Sequence, residues 1–153
     1  MNFSKLDMDL LNTIAELKGM PSGALNIRKD GQAVVRQSSS NISIIPLEEK
    51  PGIRVEIKPG TRGETVHIPV ILTKSGLTDL VYNTFVVGAD SDITIIAGCG
   101  IHNDSHADSS HQGIHEILVG KGARMKYVEK HYGEGSGQGK RILHPTTIIT
   151  VEE

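Results

Sequence analysis

The sequence predicts an all-β protein, a parallel β-helix preceded by one short N-terminal helix. Composition is the first observation: the 153 residues include 18 Ile and 11 Val, but three Tyr, two Phe and no Trp. β-Branched residues suit pleated, half-buried strands, and 17 Gly indicate many tight turns. The second observation is that the helical period of apolar residues stops near residue 20. The third is a weak internal repeat of about 30 residues, a length typical of solenoids.

Charge and cysteine content exclude several classes of protein. The 16 basic and 18 acidic residues give a net charge of −2, so nucleic acid and anionic membranes are not expected partners. A single cysteine excludes an intrachain disulfide framework and is typical of a reducing cytoplasm. No apolar run is long enough for a membrane span, and the N-terminus lacks the pattern of a signal peptide. We therefore expect a cytoplasmic protein without a membrane span.

The first twenty residues predict an amphipathic helix. Ser4 is a suitable N-cap with Asp7 in the first turn, and Gly19 is a suitable stop. One apolar stripe is expected to pack on the rest of the protein; it consists of Leu6, Leu10, Ile14 and Leu17. We expect residues 1–20 to form this helical segment and residues 21–153 to form the β-helix core.

Ten short segments after residue 20 have the apolar and polar pattern of strands. They are ALNIR, AVVRQ, NISIIPL, IRVEIK, ETVHIPVILT, VYNTFVVG, DITIIAGC, GIHEILVG, ARMKYVEKHY and TTIITVE. Segment 86–98 aligns with 118–130 at an offset of 32, and segments 57–68 and 26–35 carry a similar glycine turn followed by a strand. Such a repeat favours a solenoid in which each coil buries its face against the next. A β-sandwich is the alternative.

The 32-residue offset also predicts a register between two neighbouring coils. Alternate residues of a strand share a face, so Ile93, Ile95, Ala97 and Cys99 would form one inward row. At this offset the row stacks on Met125, Tyr127, Glu129 and His131. Coils lie about 4.8 Å apart, which would make Cys99 and His131 neighbours. A slip of one residue would turn every side chain of the second strand to the other face.

Cys99 is one candidate functional residue. It lies between two glycines, where a bent backbone could expose the sulfur, and a thiolate is a soft ligand for iron, zinc or a sulfur species. The alternative is a small buried residue that ends an apolar row, a common position for free cysteine.

A histidine-rich stretch follows Cys99. The residues His102, Asp104, His106, His111 and His115 form the pattern H-x-D-x-H-x4-H-x3-H. Imidazole and carboxylate ligands suit zinc or ferrous iron, although the spacing matches no fixed metal motif. The alternative is a polar loop inserted between two coils. His115 shares a face with the apolar residues that follow it, which favours an inward, hydrogen-bonded core residue.

Glu129 and His131 are the last candidates. They continue the face of Met125 and Tyr127, and inward polar groups need partners, so a small network with Cys99 is one interpretation. The other, slightly favoured, is that the strand ends at Val128 and both side chains face water.

Six further segments are informative together: GALNIRKDG, GIRVEIKPGT, VHIPVI, IIAGCGIHND, GIHEILVGKGARMKYVEKHYGEG and GKRILHPTT. They resemble the SufB/SufD family of iron–sulfur cluster assembly scaffolds. The Gly98-Cys99 step, the strand with His115 and Glu116, and GARMKY are the most specific of these. GIHNDSHADSSHQ replaces the Thr-Ala-Pro-like turn of the SufB branch, so the chain is most similar to a short prokaryotic SufB/SufD-like member. We expect it to be an N-terminal fragment that stops within the solenoid.

The resemblance implies a right-handed parallel β-helix and a non-enzymatic scaffold. Family members pair with a SufB/SufD-like protein and with an ABC-type ATPase, which would hydrolyse the ATP. Cys99 matches the family cysteine implicated in receiving sulfur, and the implied cargo is iron or an iron–sulfur cluster, with zinc as the alternative metal. An open strand edge in the last coil would favour a homo-oligomer.

Two other functions remain open from the residues alone. A simple metal-binding module would use His102, His106 and His111 and would not need Cys99. An enzyme such as a cupin-like metal oxygenase would need His and Glu ligands that converge inside a barrel, and the offset repeat favours a solenoid over a barrel. The enzyme is therefore the third hypothesis.

Overall fold

A computed structural model describes residues 2–153 and contains one helix and ten strands. The helix α1 spans Lys5–Ala15. The strands are β1 (Leu25–Lys29), β2 (Gln32–Gln37), β3 (Ile42–Pro46), β4 (Gly52–Ile57), β5 (Arg62–Leu72), β6 (Thr78–Val87), β7 (Asp92–His102), β8 (Ser109–Val119), β9 (Arg124–Glu134) and β10 (Arg141–Val151). Each predicted strand segment corresponds to one of these strands.

The strands form two sheets with the topology of a parallel β-helix. The orders are β2-β1-β5-β7-β9 in sheet A and β10-β8-β6-β4-β3 in sheet B. From β4 onward, successive strands alternate between the sheets, and each pairs in parallel with the strand two places along the chain. Each coil of the solenoid therefore contributes one strand to each sheet, which confirms the predicted fold class.

The spacing between paired residues of successive coils is regular from β4 onward. Val55 pairs with Phe85, 30 residues later, and Phe85 pairs with Ile117, 32 residues later. The prediction that segment 26–35 is another repeat was wrong, because β1 and β2 form an antiparallel hairpin. Its turn is Asp30-Gly31, with φ of 50° and 82°, and positive φ at both central residues matches the tight hairpin turns that reverse a chain.

The predicted register between the last two strands of sheet A is confirmed. Ile93 pairs with Met125, and the pairing continues without a shift to Cys99 and His131. The apolar part of this row belongs to the main core between the two sheets, together with the fully buried Phe85 and Ile117. The register therefore places the end of the row, where Cys99 lies, at a fixed position inside the solenoid.

Helix α1 packs on the outer face of sheet A. Ser4 caps it as predicted, and the side chains of Ser4 and Asp7 form a reciprocal capping box. The helix ends before Gly19, because Glu16 adopts a left-handed conformation with φ of 55°. Leu10 and Ile14 pack here with Ile27 of β1, and each such buried side chain contributes roughly 1.5–3 kcal/mol to folding. Among residues 2–153, no helix has the length and apolar character needed to cross a membrane.

Within residues 2–153, the last coil exposes part of its inward row. In the described chain, β9 and β10 are the outermost strands of their sheets at this end. Two residues of β10 whose register continues the inward row of β8 are exposed, Ile149 at 48% and Val151 at 65%. The candidate site lies nearer the start of β10, since Pro145 lines the same cavity as Cys99.

Candidate functional site

The polar part of the interior lies where the inward rows of β7, β8 and β9 meet. Cys99 comes from β7, His111 and His115 from β8, and Glu129 and His131 from β9. All five line one small cavity of about 10 Å³, roughly the space of one water molecule. The structure therefore brings together five of the eight predicted site residues.

Gly113 creates much of this space. It lies on the inward row of β8 between His111 and His115. A Cβ atom at this position would lie 2.9 Å from Nε2 of His115 and 3.3 Å from Nε2 of His111. Only a residue without a side chain lets both imidazole rings reach the cavity.

Cys99 is a buried thiol with 1% exposure. The interpretation that its flanking glycines expose the sulfur was wrong. They allow close packing instead, since a Cβ at Gly98 would lie 2.6 Å from the carbonyl oxygen of Lys130, and one at Gly100 would contact Leu10 of α1 at 3.3 Å. Burial, together with the negative charges of Asp79 and Glu129, raises the pKa of the Cys99 thiol well above its usual range. Cys99 is therefore protonated at neutral pH.

Glu129 and His131 form the rim of the cavity. The interpretation that β9 ends at Val128 was wrong, because the strand continues to Glu134. Oε1 of Glu129 lies 3.5 Å from Nε2 of His131, and the two side chains are 18% and 27% exposed. Both side chains therefore reach solvent and also line the interior cavity.

His115 is a hydrogen-bonded core residue. Its Nδ1 lies 3.0 Å from the hydroxyl of Tyr127, and its ring stacks on Phe85 with 6.0 Å between centroids. Burial, with smaller effects from the charges of His111 and His131, lowers the pKa of His115 to about 4. At neutral pH it is an uncharged imidazole, the form that can bind a metal.

His111 lies in the strand β8 and not in a loop. Its Nδ1 is 3.1 Å from Oδ2 of Asp79, which also accepts from Nε of Arg28 at 2.9 Å while Oδ1 accepts from Nη2 at 2.8 Å. Burial favours the neutral acid, but the hydrogen bonds from His111 and Arg28 and their charges hold the pKa of Asp79 far below its usual range. This buried triad was missed in the sequence, where only the alternation of β6 placed Asp79 inward.

Of the remaining candidates, His102 is the last residue of β7, and Asp104 and His106 lie in the segment between β7 and β8. Nε2 of His102 is 2.7 Å from Oδ2 of Asp104, and Oδ1 of Asp104 accepts from the backbone and side chain of Ser136 in the next coil. The hydrogen bonds from Ser136 and His102 lower the pKa of Asp104 to about 2. His106 is exposed. The four residues His102, Asp104, His106 and His111 therefore do not form the predicted loop cluster.

The residues around the cavity are of types that bind iron, but their side chains are not arranged to hold it. A thiol, imidazoles and a carboxylate are all iron ligands. Among residues 2–153, however, no three His, Cys, Asp or Glu side chains are arranged closely enough to hold a metal ion. Binding would therefore require side chains at the rim, such as His131 and Glu129, to turn toward Cys99.

No family model, curated protein or solved structure matches this chain. The resemblance to the SufB/SufD family therefore rests on the sequence segments quoted above. The function that it implies is a proposal.

Proposed function

We propose that this chain is a non-enzymatic scaffold for iron–sulfur cluster assembly, in which Cys99 binds iron or sulfur during cluster formation. One observation carries the proposal: the only cysteine of the chain shares a cavity with Glu129 and His131. Both partners are partly exposed at the rim, at 18% and 27%. Iron or sulfide could therefore reach the cavity past these two side chains without passing through the apolar core.

Ligand chemistry limits what one chain can hold. Iron–sulfur clusters are usually held by four cysteine thiolates, with histidine replacing some of them in Rieske centres. Cys99 supplies one thiolate, and His131, His115 and Glu129 are the nearby nitrogen and oxygen ligands. Further ligands would come from a second chain or from sulfide. Zinc is the alternative metal for the same donors.

The protonation state of Cys99 sets a condition for loading. The thiol is neutral in the empty site because burial and two nearby carboxylates raise its pKa. A divalent cation in the cavity would reverse that balance, since a coordinating thiol loses its proton. Loading should therefore release a proton and become weaker as the pH falls.

The scaffold would assemble with another protein in the cytoplasm. Unpaired edges of β9 and β10 can extend both sheets through a partner's strands, and the exposed Ile149 and Val151 offer apolar surface. The partner would be a SufB/SufD-like protein or a second copy, and a separate ABC-type ATPase would supply ATP hydrolysis. A histidine-loop metal module is less well supported, because His111 lies inside β8 and pairs with Asp79.

Anaerobic reconstitution with ferrous iron and sulfide tests this proposal. The chain should develop sulfur-to-iron charge-transfer bands and retain iron after desalting, whereas Cys99→Ala should lose both. His106→Ala is the matched control, since His106 is exposed at a turn, and it should behave like the parent chain. Equal iron retention by Cys99→Ala and the parent would exclude the role of Cys99, and loss in His106→Ala alone would favour the histidine loop.

A further inference from the structure

A second cavity lies at the opposite end of the solenoid from the Cys99 site. It lies between the β1–β2 hairpin and the first strands of the solenoid, and its volume is about 40 Å³. Its walls include four polar side chains, Asn26, Arg28, Arg36 and Asn83. Ile68 and Val70 of β5 line both cavities, so these two apolar side chains form a wall between them.

The cavity carries an excess of positive charge. The guanidinium of Arg28 donates from Nε and Nη2 to the carboxylate of Asp79, so the charge of Arg28 is balanced by that carboxylate. Arg36 differs, because its Nε donates to Oδ1 of Asn26 at 3.0 Å and no salt bridge to it exists within residues 2–153. The guanidinium of Arg36 is therefore an uncompensated charge at the mouth of the cavity.

Hydrogen-bond donors converge on the same space. The Oδ1 atom of Asn26 accepts from Arg36, which leaves the Nδ2 group of Asn26 free to donate. Asn83 is 5% exposed, lines the cavity, and its carboxamide forms no hydrogen bond with the described residues. The amide of Asn83 therefore faces the open space of the cavity. Guanidinium and amide N–H groups all donate, so an anion in this space could accept hydrogen bonds from them.

We propose that this cavity binds a small inorganic oxyanion of the phosphate or sulfate type. Arg36 supplies the charge, and the carboxamides of Asn83 and Asn26 supply further donors. The volume of about 40 Å³ exceeds the roughly 10–15 Å³ that one water needs, which suits a compact anion. Ile68 and Val70 close the inner side, so a nucleotide or other extended molecule would not fit. The site is independent of the function proposed for Cys99.

The test is a titration of the full chain with phosphate, by calorimetry and by thermal unfolding at constant ionic strength set with chloride. Saturable binding of phosphate or sulfate, with a rise in Tm that chloride does not produce, is the expected result. Arg36→Gln should weaken binding about tenfold or more, because a charge-assisted contact is lost. Arg36 is exposed, so this variant should fold. The control Arg124→Gln changes an exposed arginine in β9 and should leave binding unchanged.

A second variant and a second anion complete the test. Asn83→Leu preserves the shape of the side chain but removes its donor, and it should also weaken phosphate binding. Three outcomes would overturn the proposal: equal effects of chloride and phosphate, unchanged phosphate binding in Arg36→Gln, or saturable binding of acetate without binding of phosphate or sulfate. The last would assign the site to a carboxylate.

Discussion

Cys99 combines a reactive functional group with an environment that suppresses its reactivity. Its sulfur is buried, and burial with the charges of Asp79 and Glu129 raises its pKa. The thiolate is the nucleophile and the metal ligand, so the empty site protects the sulfur from oxidation and alkylation.

Thiol modification measures that protection directly. At pH 8 the native chain should react with Ellman's reagent at least about a hundredfold more slowly than the chain unfolded in guanidinium, because both access and the thiolate fraction are reduced. Stopped-flow or manual absorbance measurements suffice, and the unfolded chain is the control. Equal rates in the native and unfolded chains would contradict the buried position of Cys99.

His115 makes folding stability depend on pH. Its pKa is about 4 in the folded chain against 6.5 in its unperturbed state, so the unfolded chain binds the proton first. Its contribution is complete above pH 6.5 and is lost as the pH falls from 6.5 to 4, by about 3 kcal/mol in total. Chemical denaturation across this range should show a steeper loss for the parent chain than for His115→Gln. Identical slopes in the two proteins would contradict the buried, neutral imidazole.

The contact between Cys99 and His131 could be predicted from the sequence, but the surroundings could not. An offset of 32 residues and strand alternation were enough to place the two side chains on adjacent coils. Arg28 and Asp79 were missed because they are 51 residues apart and belong to different sheets, so no local period connects them. Arg28 and Asp79 come into contact only when the two sheets pack together around the interior.

Among the elements, β8 differs most from the prediction, because the first half of its inward face is polar. The alternative of a polar loop for the histidine-rich stretch is wrong from residue 109 onward, because these residues lie in β8 with Ser109, His111 and Gly113 on its inward face. Alternation of apolar and polar residues therefore could not reveal the first half of the strand. Its pairing with β6 places His111 directly beside Asp79, and their hydrogen bond stabilises a strand that hydrophobic patterning alone would not predict.

Gly113→Ala tests this strand and its cavity together. The added methyl would lie 2.9 Å from His115 and 3.3 Å from His111, so the rings must shift, and we expect the free energy of unfolding to fall by about 1–3 kcal/mol. Gly19→Ala is the control, because its Cβ would meet no atom within 4 Å. Denaturant unfolding of both variants gives the comparison. No loss in Gly113→Ala would contradict the close approach of the two imidazoles.

In the whole described molecule, the two sheets begin at the β1–β2 hairpin and β3, and their outer strands at the other end are β9 and β10. β9 and β10 present unpaired backbone groups together with exposed Ile149 and Val151. Exposed edge strands of this kind favour pairing with another chain. The Cys99 cavity lies beside this end, so a partner that covers it would also close the site and could add ligands.

Self-association is the simplest form of that pairing. Sedimentation velocity should show a concentration-dependent dimer of the 153-residue chain, and Ile149→Lys should weaken it by placing a charge on the apolar end. The control Leu80→Lys changes an exposed residue of β6 within the solenoid and should leave the dimer intact. A monomer at every concentration, or equal effects of the two substitutions, would contradict association through β9 and β10.

The proposed function requires Cys99 to be the sulfur ligand at a mixed cysteine, histidine and carboxylate site. X-ray absorption at the iron edge, on the anaerobic complex with ferrous iron and no added sulfide, measures this ligand set. We expect one iron–sulfur distance near the usual value for a thiolate, nitrogen or oxygen ligands beside it, and loss of the sulfur signal in Cys99→Ala. An iron environment of nitrogen and oxygen alone in the parent chain would exclude Cys99 as the ligand.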